Sequence, residues 1–242
     1  MNDYTRIERD FVKNLQPWVK EEVVPFAPKP MVLIAINHYK NAQTAWDAWT
    51  IPTEMVCALI KTNAPLGKLA LCTCDLVAPA FGILRSGRVD HRPFRAGIRI
   101  AKQLAETQSD ALLDPVLDAI GELTAIFKGL NAPINVRYAA WAIIRAVRSA
   151  VGKRPALDVP FLVERAILAS LKEMIAGTPP RCRLLPRIEN SRLTDGRIRE
   201  WQCRRIRKHF PERPHWTEPD APYDSQCPPH LFGHLLSSAY FS

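Results

Sequence analysis

The sequence predicts an all-α fold: an antiparallel helical bundle or short α-solenoid, followed by a partly irregular basic C-terminal tail. Three observations carry this. Of the 242 residues 47% are hydrophobic but only 8% are aromatic, so the core is mostly Ala, Leu, Ile and Val, a composition that favours close-packed helices over a β-sandwich. Glycine, at 10 residues, is too scarce for many tight β-turns or for phosphate-cradling loops. Between residues 53 and 177 apolar residues recur at steps of three and four, in segments parted by turns of a few residues.

Residues 3–23 suit one or two short helices broken near Pro17, and "VPFAPKP" at 24–30 reads as a linker. "MVLIAINHY" has the β-branched residues of a strand. A helix is expected instead, because "NAQTAWDAW" continues at helical spacing and no second strand exists to pair with it. Pro52 opens "PTEMVCALIKTN", in a first turn where its missing N–H is no loss. The next helix runs through "APLGKLALCTCDLVAPAFGIL" with a kink at Pro79. Cys72 and Cys74, two apart, point to different faces and are expected to pack rather than chelate.

"VDHRPFRAGIRIAKQLAE" at 89–106 places Asp90 as an N-cap and Pro93 in a first turn. Phe94, Ile98, Ala101 and Ala105 form a buried stripe, and Arg92, Arg95, Arg99 and Lys102 form a basic one on another face. His91 beside Asp90 is not a catalytic pair in this reading, since adjacent helical residues do not face each other. Ser109 then caps a helix whose apolar stripe is Leu113, Leu117, Ile120 and Leu123 or Thr124. Its Asp110, Asp114, Asp118 and Glu122 form a solvated acidic face, or else meet the basic stripe of 92–102 between neighbouring helices. In "NAPINVRYAAWAIIRAVRSAVG" the buried face is Val136, Ala140, Ile143, Val147 and Val151, with Arg145 and Arg148 off it. Asp158 caps the last body helix, which stops at Gly177.

Residues 1–177 thus form the helical domain, and 178–242 an Arg/Pro-rich tail with one helix near 194–209 and an irregular stretch over 211–229. The tail helix offers Arg199, Trp201, Arg204, Arg205, Arg207 and Lys208 to a nucleic acid, cations for phosphates and an aromatic for a base. In the plainer alternative its Ile198, Trp201, Ile206 and Phe210 pack on the body. Cys203, His209, His215, Cys227, His230 and His234 are zinc-type donors, but no tight Cys-x2-Cys knuckle joins them, and no metal is assigned.

The formal net charge is +9 with a pI near 9.4, which suits an anionic partner. The 6 cysteines are dispersed in a chain far larger than a disulfide scaffold, so they read as reduced and the protein as cytoplasmic. The N-terminus lacks a signal pattern, and no apolar run of about 18 residues predicts a membrane span. No G-x-S-x-G, H-E-x-x-H or P-loop is present, so neither an enzyme nor a cofactor is expected.

"WDAWTIPTEMVCALI", "KLALCTCDLVAPAF", "DHRPFRAGIRIAKQLAE" and the Ala-rich "RYAAWAIIRAVRSAV" follow one another in order. Over residues 46–151 this resembles the Imm5-type immunity family, with Asp90, Arg92, Pro93, Arg95 and Ile98 as the more specific matches. The chain departs from that pattern by inserting His91, by carrying less alanine and by adding the tail. The resemblance implies binding and neutralising a toxin, and brings no active site with it. The expected function is a non-enzymatic binding protein of the toxin-immunity or phage/mobile-element accessory type. It would act on an unknown protein partner through Arg92, Arg95, Arg99 and Lys102. A nucleic-acid accessory role through the tail helix is the alternative.

Overall fold

The computed structural model describes residues 42–175 and 195–215, and all regular structure among them is helical. The α-helices are α1 Ala42–Ala48, α2 Pro52–Lys61, α3 Leu66–Leu76, α4 Ala78–Ser86, α5 Arg92–Thr107, α6 Leu113–Gly129, α7 Ile134–Arg148, α8 Asp158–Ile175 and α9 Asp195–His209. Short 3-10 turns at Asp110–Leu112 and Arg154–Leu157 precede α6 and α8. The expected helices over 3–23, the linker at 24–30, the stop at Gly177 and the tail beyond residue 215 lie outside the described residues.

Local chemistry accounts for most helix starts, with three corrections. Pro52 opens α2 as expected. The single kinked helix expected around Pro79 is two helices meeting at Val77, and Pro79 sits in the first turn of α4, where proline starts a helix rather than bending one. Asp90 lies one residue before the cap position, which His91 occupies, yet its Oδ1 still accepts the Arg92 backbone N–H at 3.0 Å. Ser109 makes no side-chain cap, because a 3-10 turn stands between it and α6.

Helix α7 is the centre of the molecule. It packs against α3, α4, α5, α6 and α8. The fold is therefore a bundle around a buried helix, not a solenoid, in which each unit touches only its neighbours. Residues 138–150 are all buried, so the two-faced reading of this segment is corrected. Arg145 and Arg148, expected off the buried face, are each only 6% exposed. Five neighbouring helices leave α7 no outer face, and alanines at 139, 140, 142 and 146 let those neighbours approach. Arg145, in the last turn of α7, forms a buried ion pair with Asp158, the first residue of α8. Each charge also faces the favourable end of its own helix dipole.

Two glycines set the close approaches. A Cβ on Gly67 would stand 2.3 Å from the Ala105 carbonyl oxygen, so α3 and α5 touch backbone to backbone. Gly87 has an ordinary φ of −75°, but its Cβ would meet Val136 Cγ2 at 2.4 Å. Close packing on α7 thus requires glycine at 87, and the positive φ of this turn falls on Arg88, at 57°.

The stretch Leu66–Ser86 is long and apolar enough to cross a membrane by length and composition, although the sequence reading expected no such run. It is broken at Val77 and mostly buried inside the bundle as α3 and α4, like the core helices of a soluble protein.

Removing one partner of the Arg145–Asp158 pair strands a buried charge. Asp158→Ala is expected to lower the unfolding free energy by about 3–5 kcal/mol in urea denaturation, and Arg145→Met with Asp158→Leu to recover most of it. Gly67→Ala is expected to cost about 1–3 kcal/mol in the same assay, because the backbone of α5 must move.

Candidate functional site

The basic stripe of α5 forms, but its members differ in state. Arg92 is exposed and held by Asp90, whose carboxyl is lowered to about 2 by the hydrogen bonds from the Arg92 side chain and backbone. Arg95 is exposed and lies over the Phe81 ring of α4, 5.7 Å from its centroid. Arg99 is exposed, and no hydrogen bond or ion pair ties it down among the described residues. Lys102 is committed inward: its Nζ donates to Asp75 Oδ1 of α3 at 2.8 Å. Lys102 therefore serves to anchor α5 on α3 and is not a free contact residue.

The helix expected near 194–209 forms as α9, and its apolar side is part of the body. Ile198, Gln202, Cys203, Ile206 and Phe210 are buried against α2, α3 and α8. Two of the arginines expected to contact nucleic acid are used in this docking. Arg199 pairs with Glu164 of α8 at 2.8 Å. The Arg207 guanidinium donates to the carbonyl oxygens of Trp46 and Trp49, which close the C-terminal end of α1. The contacts are returned: the fully buried Trp46 donates its indole N–H to the Phe210 carbonyl at 3.0 Å, and Gln43 bonds Pro211 and Arg213 through their backbone. The sequence held no sign of this clasp, since its partners lie some 160 residues apart and share no pattern.

The rest of α9 faces out. Arg204 and Lys208 are exposed, and Arg204 lies only loosely against Glu200, at 3.8 Å. Arg205 covers the half-buried Trp201 ring, 5.7 Å from its centroid.

Asp75 joins the two basic stripes. Its Oδ1 takes Lys102 of α5 and its Oδ2 meets His209 Nε2 of α9 at 3.0 Å. Burial works against its charge, but the hydrogen bonds and charges of Lys102 and His209 prevail and hold its carboxyl below the usual range. Lys68, on the same outward side of α3, lies over the Phe210 ring at 5.1 Å. Segments read separately in the sequence, 92–102 and 199–208, thus meet across α3.

The acidic stripe does not meet the basic one. Asp110, Asp114, Asp118 and Glu122 are all exposed, and no ion pair links them to α5 among the described residues, although α5 and α6 pack together. They form the solvated face that the sequence offered first. Cys72 and Cys74 are buried packing residues, their thiols pushed up by burial, Cys74 to about 12. Burial likewise raises Cys203 to about 12. Such thiols carry almost no thiolate near neutral pH and are poor nucleophiles or ligands. Of the zinc-type donors, Cys203 is buried and His209 is engaged by Asp75, while Cys227, His230 and His234 lie outside the described residues.

No protein-family model, curated protein or solved structure matches this chain.

Asp75 makes a pH test of the junction. Its folded value lies below its unfolded one, so its stabilisation is complete above about pH 4 and fades as pH falls through the folded value. Asp75→Asn is expected to cost about 1 kcal/mol at pH 7. The loss should shrink below about pH 4, read by thermal melts across pH.

Proposed function

We propose that this chain is a non-enzymatic, cytoplasmic binding protein that takes an anionic partner on the outer edge of α5. One observation carries the reading. Arg95 and Arg99 present their guanidinium groups at exposed positions with no carboxylate paired to them among the described residues, while the opposite side of the helix is sealed in the core. Arginine presents a planar fork that matches carboxylate or phosphate oxygens two at a time. In the immunity-like form of this reading the partner is the acidic surface of a toxin, or of a phage or mobile-element protein. Arg92 would then act only after release from Asp90, and Lys102 would support the surface from beneath.

The nucleic-acid reading keeps one specific observation in its favour. After Arg199 and Arg207 are used in docking α9, Arg204, Arg205 and Lys208 still face outward beside Trp201.

Truncation at Gly177 is a poor test of either form, because it would strip the cover from Trp46 and from the core under α9. Charge reversal in the full chain is cleaner. Arg95→Glu with Arg99→Glu is expected to leave the melting temperature within a few degrees of the parent and to abolish capture of the partner from extract. Captured material is quantified by mass spectrometry at two salt concentrations, with and without nuclease. Loss on nuclease treatment indicates a nucleic-acid partner, and persistence a protein one. Unchanged capture by the doubly reversed chain would exclude this edge as the working surface.

A further inference from the structure

We infer that the outer side of α3, the rim of α5 and the outward edge of α9 form one continuous track for the phosphate backbone of a nucleic acid. The inference rests on the reading of α5 as the working surface and extends it to residues that the sequence did not single out, Lys68 above all.

The cations of this face are held in two different ways. A carboxylate partner positions a cation but cancels its charge. An aromatic ring positions it through the quadrupole and leaves the charge available. Lys68 lies over Phe210, Arg95 over Phe81 and Arg205 over Trp201, at 5.1, 5.7 and 5.7 Å. Each of these three helices therefore carries a cation fixed in place and still able to neutralise an anion. Arg99 and Lys208 stand exposed beside them.

The charges are joined by the fold. Asp75 holds Lys102 from one side and His209 from the other, so the rim of α5 and the end of α9 are fixed to the same point of α3. Helices α3, α5 and α9 contain eleven lysines and arginines against four carboxylates, Asp75, Glu106, Asp195 and Glu200. Asp75 is engaged by Lys102 and His209, and Glu200 lies loosely against Arg204. The cations left available, Lys68, Arg95, Arg99, Arg205 and Lys208, can meet about four or five phosphates of one strand.

The same face suits a protein partner poorly. Protein interfaces are centred on desolvated apolar or aromatic anchors. The exposed large hydrophobic residues among those described are Ile51, Leu113 and Ile134, and none belongs to α3, α5 or α9. The rings that do reach this face, Phe81 and Trp201, lie under arginines. Binding a polyanion requires charge along a line and no such anchor.

The test is fluorescence anisotropy of a labelled 20-base-pair DNA duplex, and of a single-stranded RNA of equal length, titrated with the full chain. Affinity should fall by roughly two to three orders of magnitude between 50 and 200 mM salt, as release of four or five counterions requires. Three doubly or singly reversed chains are compared, each checked by thermal melting: Arg95→Glu with Arg99→Glu, Lys68→Glu with Arg205→Glu, and Lys128→Glu on α6 as a control. The first two should each weaken binding at least tenfold and flatten the salt slope by about two, and the control should do neither. If the α5 pair weakens binding and the Lys68/Arg205 pair does not, the joined track is wrong while the α5 surface stands. If neither pair weakens binding, or the control weakens it equally, the nucleic-acid track falls, and the α5 surface is decided by the capture experiment alone. If poly-glutamate of matched charge displaces the duplex at equal concentration of charge, the face does not select phosphate and the commitment to nucleic acid is overturned.

Discussion

The burial of α7 on every side is the constraint from which the rest follows. A helix enclosed by α3, α4, α5, α6 and α8 must be small where its neighbours come close and neutral where it carries charge. Its alanines meet the first need. Arg145 meets the second only because Asp158 begins the next helix. The cost of withdrawing two charges from water is offset by their mutual attraction and by two helix dipoles of suitable sense. The turn between α7 and α8 is thereby fixed, and with it the direction in which α8 crosses the bundle.

The ends of the described structure are closed by a different kind of bond. Side chains of α1 and α9 bond the backbone at and just beyond each other's C-terminal ends, through Trp46, Gln43 and Arg207. The chain leaving a helix has carbonyls that the helix cannot satisfy, and here each segment supplies donors to the other's exit. A basic residue that looks like a ligand contact is in this way absorbed into folding. Arg207 and Arg199 hold α9 in place, and the cations left over on α9 are those that face away from the body.

The division between engaged and available cations gives the surface its character. Lys102, Arg199 and Arg207 reach carboxylates or carbonyls, whereas Lys68, Arg95 and Arg205 rest on rings. The first group lends its charge to the fold, and the second keeps it. Net charge alone does not separate them, because each residue contributes equally to the formal total.

The all-α class, the positions of α2, α5, α6, α7 and α8, and the buried stripe of Phe94, Ile98, Ala101 and Ala105 were legible in the chain. These depend on periodicity and on proline and glycine punctuation, which are local. Both basic segments were legible there as well. Packing alone places Arg145 and Arg148 inside, starts a helix at Pro79, spends Lys102 and Arg207 on the body, and joins through Asp75 two stripes about a hundred residues apart. An apolar stripe shows which side of a helix is buried only when one side is open. In α7 the run Tyr138–Ile144 is apolar all round, the pattern of a fully buried helix, and it is Arg145 and Arg148 that made one side look open. Whether a cation is neutralised depends on which carboxylate, carbonyl or ring the fold brings within a few ångströms, and that pairing has no sequence spacing.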